Sequence, residues 1–209
     1  MQAPEADFDP FSRDWIANRH DRYEDLREAG PVVRLSRYGV FATGRWAEVK
    51  AVLGDAETFI SSAGVGIDDL RAADSWRPKG NVLEADAPEH DVTRGILNKV
   101  LSARAMRAFR EDFAAKAGAL ADEAVAAGEI DAATFLGAAF PLSVFPDAMG
   151  IGKEGRENLL LYSDMIFNAF GPRNDIFQET AAKAGPVVDW LLAQCSREAL
   201  APDDRKSVV

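Results

Sequence analysis

Two residues spaced four apart could hold one anion. His90 and Arg94 follow Pro88, and proline favours the first turn of a helix. The spacing places both side chains on one helix face, where two donors can clamp a carboxylate or a phosphate. The alternative is an exposed helix whose histidine and arginine contact a neighbouring acid or water, because surface charge pairs are common and weak.

A second candidate is the tripeptide Trp76-Arg77-Pro78, at the end of a turn-rich stretch. An arginine beside apolar residues can bind a carboxylate through two parallel hydrogen bonds. An exposed loop arginine is the alternative. A third candidate is the pair Phe167 and Phe170, which lie three apart next to Ile166 and either line an apolar pocket or belong to the core.

Residues 94–110 contain five basic side chains, although the chain as a whole is acidic. The protein has a formal net charge of -10, yet between His90 and Arg110 the only acid is Asp91. Such a local reversal of charge either steers an acidic protein partner or forms a solvated helix face. The basic residues of this run are Arg94, Lys99, Arg104, Arg107 and Arg110.

Several classes of chemistry have no matching pattern. The sequence has neither HExxH nor paired CxxC, and its two histidines are too few for most zinc sites. Phosphate-binding glycine loops and the GxSxG turn are also missing. The acidic charge disfavours nucleic acid, and the longest uncharged run, residues 132–146, is too short for a membrane span. With a single cysteine, Cys195, and no signal peptide in view, we expect a cytoplasmic protein.

The elements that position these residues are mainly helical. A hairpin of residues 32–35 and 40–43 is predicted after a helix that ends at Gly30. Ser102 is predicted to cap a long helix whose apolar stripe packs in the core, and Pro141 to kink or end the helix that Asp131 starts. The other helices are predicted at residues 45–53, 88–101, 154–169 and 175–200, the last with a kink or a break at Gly185-Pro186. Residues 61–81 are predicted to form an irregular loop.

These motifs together resemble the N-terminal half of a bacterial cytochrome P450, a haem-thiolate monooxygenase. The run Glu84-Ala85-Asp86-Ala87-Pro88-Glu89-His90, followed by Arg94, is similar to the entrance of that family's C helix. Residues 76–78, 83–86, 141–150, 154–160 and 167–172 look like the subfamily that oxidises para-substituted benzoates. The resemblance extends from about residue 9 to 203, so residues 1–209 are expected to form a single incomplete domain with a non-native tail at 204–209.

The resemblance implies a role for each candidate. His90 and Arg94 would contact the propionates of haem b, and Arg77 would hold the carboxylate of a small aromatic substrate. Leu83, Ile166, Phe167 and Phe170 would line the slot for the aromatic ring. A 2Fe-2S ferredoxin would deliver electrons at the basic run from Arg94 to Arg110. One departure is Gly80, which stands where the subfamily has a serine that helps to bind the carboxylate.

The family's iron ligand has no counterpart in the sequence. The cysteine thiolate that activates oxygen lies in an FxxGxxxCxG loop. Cys195 lies instead in a helical context without those glycines and is expected to be partly buried and ordinary. The chain alone therefore offers no catalytic residue and no metal ligand, and is expected to be inactive.

Two interpretations remain at this stage. The first is a fragment of a monooxygenase that O-demethylates or hydroxylates para-substituted benzoates, which would leave apolar helix faces exposed and cause aggregation or a molten state. The second is a non-catalytic helical module that binds an aromatic carboxylate through Arg77 and folds alone.

Overall fold

The protein is mainly α-helical, as the sequence predicts. The computed structural model describes residues 3–196 and Ala199. Within that part of the chain the helices are α1 (Arg13–Ala17), α2 (Arg19–Ala29), α3 (Trp46–Gly54), α4 (Glu89–Val100), α5 (Ala103–Ala127), α6 (Ala139–Met149), α7 (Asn158–Asn168), α8 (Asp175–Ala184) and α9 (Val188–Gln194).

A small sheet contains the predicted hairpin. Strands β2 (Val33–Leu35) and β3 (Val40–Ala42) pair antiparallel, and β1 (Glu5–Ala6) pairs parallel with β2. The central strand is the most buried one, because both of its neighbours cover it: Val33 and Leu35 are almost fully buried. The sequence did not predict β1, since a strand of two residues has no readable alternation.

The long helix α5 begins and ends as predicted. Ser102 Oγ accepts a hydrogen bond from the backbone N–H of Ala105, and Gly128 ends the helix with a positive φ of 76°. The prediction that its apolar stripe is core is wrong for the described structure. Met106 is 42% exposed, and Phe109 and Phe113 are only half-buried, because α6 covers part of this face and leaves a cavity beside it.

Pro141 does not end the helix, so that half of the prediction is wrong, whereas the predicted kink stays a prediction. Asp131 accepts hydrogen bonds from the Ala133 N–H and the Thr134 hydroxyl, as expected of a cap. A π-helical turn, Ala133–Ala138, then leads directly into α6, which continues through Pro141. The irregular hydrogen bonding of the π turn accommodates a residue that lacks an N–H.

The C-terminal helices follow the predicted order. Helix α7 starts at Asn158, four residues after its predicted start. A short 3-10 turn at Gly185–Val187 separates α8 from α9, which confirms the predicted break. The predicted end of the last helix at Leu200 and the tail at residues 204–209 lie outside the described residues.

The chain divides into two compact units. The first comprises Met1–Asp91 and Asn168–Phe177, and the second Val92–Phe167 and Gln178–Val209. The three boundaries, after residues 91, 167 and 177, fall inside α4, α7 and α8. The single incomplete domain stays a prediction.

Few apolar side chains are buried. Among the described residues, the core comprises Trp15, Val33, Leu35, Val144, Ala169 and Ala184. Many large apolar side chains are exposed instead, and Leu53 at the end of α3 reaches 81% exposure. In the described part of the chain, no helix has both the length and the apolar character needed to cross a membrane.

Candidate functional site

The first unit positions the loop that carries Arg77. Residues 55–88 join α3 to α4 without a helix or strand. Trp76 anchors this loop: its Nε1–H donates to Asp68 Oδ2 at 2.6 Å, and its ring lies 4.9 Å from that of Phe177. Arg173 Cζ lies 5.8 Å from the centre of the Trp76 ring. The loop is therefore fixed against residues 168–177, although its own backbone is irregular.

The backbone of Phe170 approaches the same loop closely. The Ile67 N–H donates to the Phe170 carbonyl oxygen at 2.9 Å. A Cβ at Gly66 would lie 2.6 Å from that oxygen, so the contact requires a glycine. This contact holds the Phe170 ring beside Arg77, whose Cζ lies 5.1 Å from the ring centroid.

Arg77 is buried and paired with an acid. Its side chain is 11% exposed, and Nη1 lies 2.6 Å from Oε1 of Glu84, whose side chain is 3% exposed. The alternative of an exposed loop arginine is therefore wrong. Glu84 lies in the run that is similar to the entrance of the family's C helix, but the sequence does not predict that it pairs with Arg77. Spacing within an irregular loop does not predict a contact.

Two donors of the Arg77 guanidinium have no acceptor. Nε and Nη2 are both buried and make no hydrogen bond. A buried donor without a partner costs about 1–3 kcal/mol, and more when the group is charged. An acceptor at the Nε–Nη2 edge would remove this cost, and a carboxylate matches that edge with two parallel hydrogen bonds. Phe170 provides an apolar surface against the guanidinium.

His90 and Arg94 both lie in α4, as predicted. His90 is half-buried, with Nδ1 3.3 Å from Asp91 Oδ1, and Arg94 is exposed. The start of this helix is tied to the loop by Asp86, whose carbonyl oxygen accepts from the His90 N–H. The Asp86 carboxylate accepts from Ser62 and Ser61, and these hydrogen bonds lower the pKa of Asp86. The contact of His90 and Arg94 with haem propionates stays a prediction.

The remaining predicted slot residues belong to both units. Leu83, in the first unit, is 60% exposed, and Phe167, at the end of α7 in the second unit, is 74% exposed. Ile166, next to Phe167, is half-buried. Their role in lining a slot together with Phe170 stays a prediction.

The second unit has an apolar cavity and a charged cluster of its own. The cavity, of about 390 Å³, lies between α5 and α6 and is lined mainly by Phe109, Phe113, Phe145 and Met149. Asp147 binds two cations: Lys116 Nζ at 2.6 Å and Arg156 Nη2 at 2.5 Å. These hydrogen bonds lower the pKa of Asp147, and Asp147 raises that of Lys116.

The described residues could supply contacts to the haem propionates but not the thiolate ligand of the iron. Cys195 follows the last residue of α9 and is exposed, which corrects the prediction of a partly buried thiol: the chain leaves the helix there, and no element among the described residues covers the side chain. The sequence around it has none of the glycines of a haem-thiolate loop. Among the described residues, no group of three or more His, Cys, Asp or Glu is placed to hold a metal ion. In the described part of the chain, the residues predicted for propionate contacts are His90 and Arg94.

Comparison with known proteins supports the resemblance. No family model matches the chain. Cytochrome P450 CYP199A2 of Rhodopseudomonas palustris is 49% identical over 200 residues, which are 95% of this chain and 48% of that protein. Mycinamicin IV hydroxylase/epoxidase of Micromonospora griseorubida is 28% identical over 85% of this chain and 45% of its own.

Solved structures show the same fold. A mutant of P450 EryK in complex with erythromycin B matches with a TM-score of 0.68 at 23% identity, over 92% of this chain and 48% of that one. CYP109Q5 from Chondromyces apiculatus matches with a TM-score of 0.62 at 22% identity, over 97% and 50%. The chain thus spans about half the length of the proteins it matches, and over that span it is similar to cytochromes P450 in both sequence and fold.

Proposed function

We propose that this chain is the N-terminal half of a haem-dependent monooxygenase that oxidises para-substituted benzoates, and that Arg77 holds the substrate carboxylate. The observation that carries the proposal is the buried guanidinium of Arg77, which has two donors without an acceptor beside the ring of Phe170. The similarity to Cytochrome P450 CYP199A2 supports the kind of enzyme, and the resemblance of residues 76–78 and 83–86 to the benzoate-oxidising subfamily supports the aromatic acid as substrate class.

The residues of the chain would act by positioning. A carboxylate bound at the Nε–Nη2 edge of Arg77 fixes one end of a rigid aromatic molecule, so that its para substituent projects in one direction. Leu83, Ile166, Phe167 and Phe170 would exclude water around the ring. When bound, haem b would supply oxygen activation, with His90 and Arg94 holding its propionates. No oxidation step is assigned to the residues of this chain, because its sequence has no FxxGxxxCxG thiolate loop.

A CO-difference spectrum of the purified chain, loaded with haem and reduced, tests the thiolate part of the proposal. We expect no Soret band at the position typical of a haem-thiolate complex, and no turnover of 4-methoxybenzoate with a ferredoxin and its reductase. A band at the thiolate position would show that Cys195 or another group replaces the missing loop, and would contradict the assignment of an inactive half.

The second candidate is a non-catalytic module that binds an aromatic carboxylate. The burial of Arg77 with unsatisfied donors favours it equally, because that site lies within the first compact unit. The module predicts a cooperative thermal transition of the chain alone, whose midpoint rises with benzoate. In buffer without an osmolyte, the fragment predicts aggregation or a broad transition instead, because large apolar side chains are exposed.

Ferredoxin docking at the basic run also belongs to the proposal. Arg94, Lys99, Arg104, Arg107 and Arg110 are all exposed and would attract an acidic electron donor. In a full-length relative, reversing the charges that correspond to Arg104 and Arg107 should slow reduction, most strongly at low salt. Reversing the equivalent of Arg71, an exposed arginine of the loop before Trp76, is the control. An unchanged reduction rate would contradict the docking surface.

A further inference from the structure

Glu84 combines the deepest burial of any described charged residue with two specific contacts. The residue is 2% exposed. Its Oε1 lies 2.6 Å from Arg77 Nη1, and its Oε2 accepts a hydrogen bond from the Gly80 N–H at 3.0 Å. The Glu84 carboxylate therefore occupies the Nη1 side of Arg77, the residue that we propose to hold the substrate carboxylate.

Gly80 provides the space for this carboxylate. A Cβ at position 80 would lie 2.4 Å from Glu84 Oε2, so any side chain there forces the carboxylate to move. A free carboxylate would rotate away at little cost, but Glu84 is buried and held by Arg77 and by the Gly80 N–H. The glycine and the glutamate thus depend on each other.

The Arg77–Glu84 pair lowers the net charge of the site at which a ligand would bind. Arg77 and Glu84 together are formally neutral, whereas Arg77 alone would present one buried positive charge. Nε and Nη2 of Arg77 are still free to donate. A ligand at this edge would therefore be recognised mainly through hydrogen bonds to its acceptor atoms, with little net charge attraction, because the attraction of Arg77 and the repulsion of Glu84 nearly cancel.

We propose that Glu84 is a specificity-determining residue of this site: as the resident counterion of Arg77, it limits the preference of the site for carboxylates over neutral acceptors such as esters. This inference rests on the proposed carboxylate site. Glu84 contacts Arg77 and not the ligand, so it acts through the arginine. Removing its charge should leave Arg77 uncompensated and make a ligand carboxylate its replacement counterion.

Thermal unfolding of the 209-residue chain tests this role. The chain, its Glu84→Gln variant and the control Glu123→Gln, which removes one exposed charge from α5, are compared in about 1 M trimethylamine N-oxide, an osmolyte that favours compact states. Each is measured without ligand and with formate, benzoate or methyl benzoate. Formate probes the counterion role without an aromatic ring.

We expect the Glu84→Gln midpoint to fall by roughly 10 °C without ligand. Formate and benzoate should recover much of this loss in Glu84→Gln and raise the parent and Glu123→Gln less. The ratio of benzoate to methyl benzoate affinity should increase about tenfold in Glu84→Gln, in line with the loss of one nearby buried charge.

Three outcomes would overturn the proposal: equal formate shifts in all three proteins, an unchanged affinity ratio, or no cooperative transition of the parent chain in the osmolyte. Failure of the proposed function has a different signature. If benzoate binds to none of the proteins while formate still rescues Glu84→Gln, the counterion role stands and the aromatic substrate is wrong. If benzoate stabilises the parent but Glu84→Gln shows no new preference for carboxylates, the function stands and the role of Glu84 is wrong.

Discussion

Arg77 Nη1 and Glu84 Oε1 lie 2.6 Å apart, and both side chains are almost completely removed from solvent. The contact joins the two ends of residues 77–84, which lie within the irregular loop between α3 and α4. It also leaves the Nε–Nη2 edge of the guanidinium without an acceptor. The same pair therefore stabilises the loop and keeps the Nε–Nη2 edge, the one we propose for a carboxylate, in a fixed position.

Removing one partner of this pair should be costly. We expect Arg77→Met to lower the free energy of unfolding by about 3–5 kcal/mol, because it leaves the Glu84 carboxylate buried without its counter-charge. Urea unfolding measures the change. The control is Arg71→Met, at an exposed arginine in the same loop, for which we expect less than about 0.5 kcal/mol. The double variant Arg77→Met with Glu84→Leu should recover most of the loss, and a double variant as unstable as the single one would contradict this explanation.

Serine at position 80 should disturb the same pair. Gly80→Ser restores the residue found in the benzoate-oxidising subfamily, but its Cβ would lie 2.4 Å from Glu84 Oε2. We expect a loss of about 1 kcal/mol from the broken hydrogen bond, measured by urea unfolding. Gly95→Ser, at a helical glycine with open space around its Cβ position, provides the comparison for intrinsic serine effects. In a Glu84→Gln background the penalty of Gly80→Ser should shrink, since the amide is held less firmly. An equal penalty in both backgrounds would show that the two positions are independent.

The pH dependence of stability should reflect Asp147. Hydrogen bonds from Lys116 and Arg156 lower the pKa of Asp147 below its ordinary 3.8, so the stabilisation is present above that value and is lost as the pH falls through the lower, folded-state pKa. The pKa of Lys116 is raised above its ordinary 10.5, chiefly by Asp147, so its contribution is present below that value and is lost at still higher pH. Asp147→Asn should therefore reduce stability at pH 7 and make both limbs of the stability curve less steep, although other carboxyl groups with lowered pKa values keep part of the acid limb. Glu123→Gln should leave both limbs unchanged, and limbs as steep in Asp147→Asn as in the parent chain would contradict the assignment.

Apolar positions should differ in cost according to their burial. Val33→Ala, in the central strand, should cost about 2 kcal/mol because that side chain is fully buried. Leu53→Gln should cost less than about 0.5 kcal/mol, because Leu53 is 81% exposed. A Leu53→Gln variant as unstable as Val33→Ala would mean that α3 is covered in solution.

The native chain should bind the dye ANS at its exposed apolar surface, and Phe145→Ser, beside the cavity of α5 and α6, should reduce this binding.

The sequence predicted the elements better than their contacts. Local signals such as the Ser102 cap, the hairpin before Ala42 and the break at Gly185 depend on a few neighbouring residues, and the structure confirms them. The burial of the α5 stripe was wrong, because periodicity shows which face is apolar but not whether anything covers it. Arg77 was already a candidate from its apolar neighbours, and the resemblance added its role in holding a substrate carboxylate. Its pairing with Glu84 depends on the path of an irregular loop, which spacing does not encode.

The most direct test of the account is calorimetric titration of 4-methoxybenzoate into the purified chain, compared with Arg77→Lys and the exposed control Arg71→Lys. Lysine keeps the positive charge but cannot reproduce the two parallel hydrogen bonds of the guanidinium edge. We predict binding to the parent chain and to Arg71→Lys with the same affinity, and at least about tenfold weaker binding to Arg77→Lys, the loss expected when a good charge-assisted hydrogen bond is removed. Equal affinity for all three proteins, or no binding to the parent chain, would contradict the carboxylate site at Arg77.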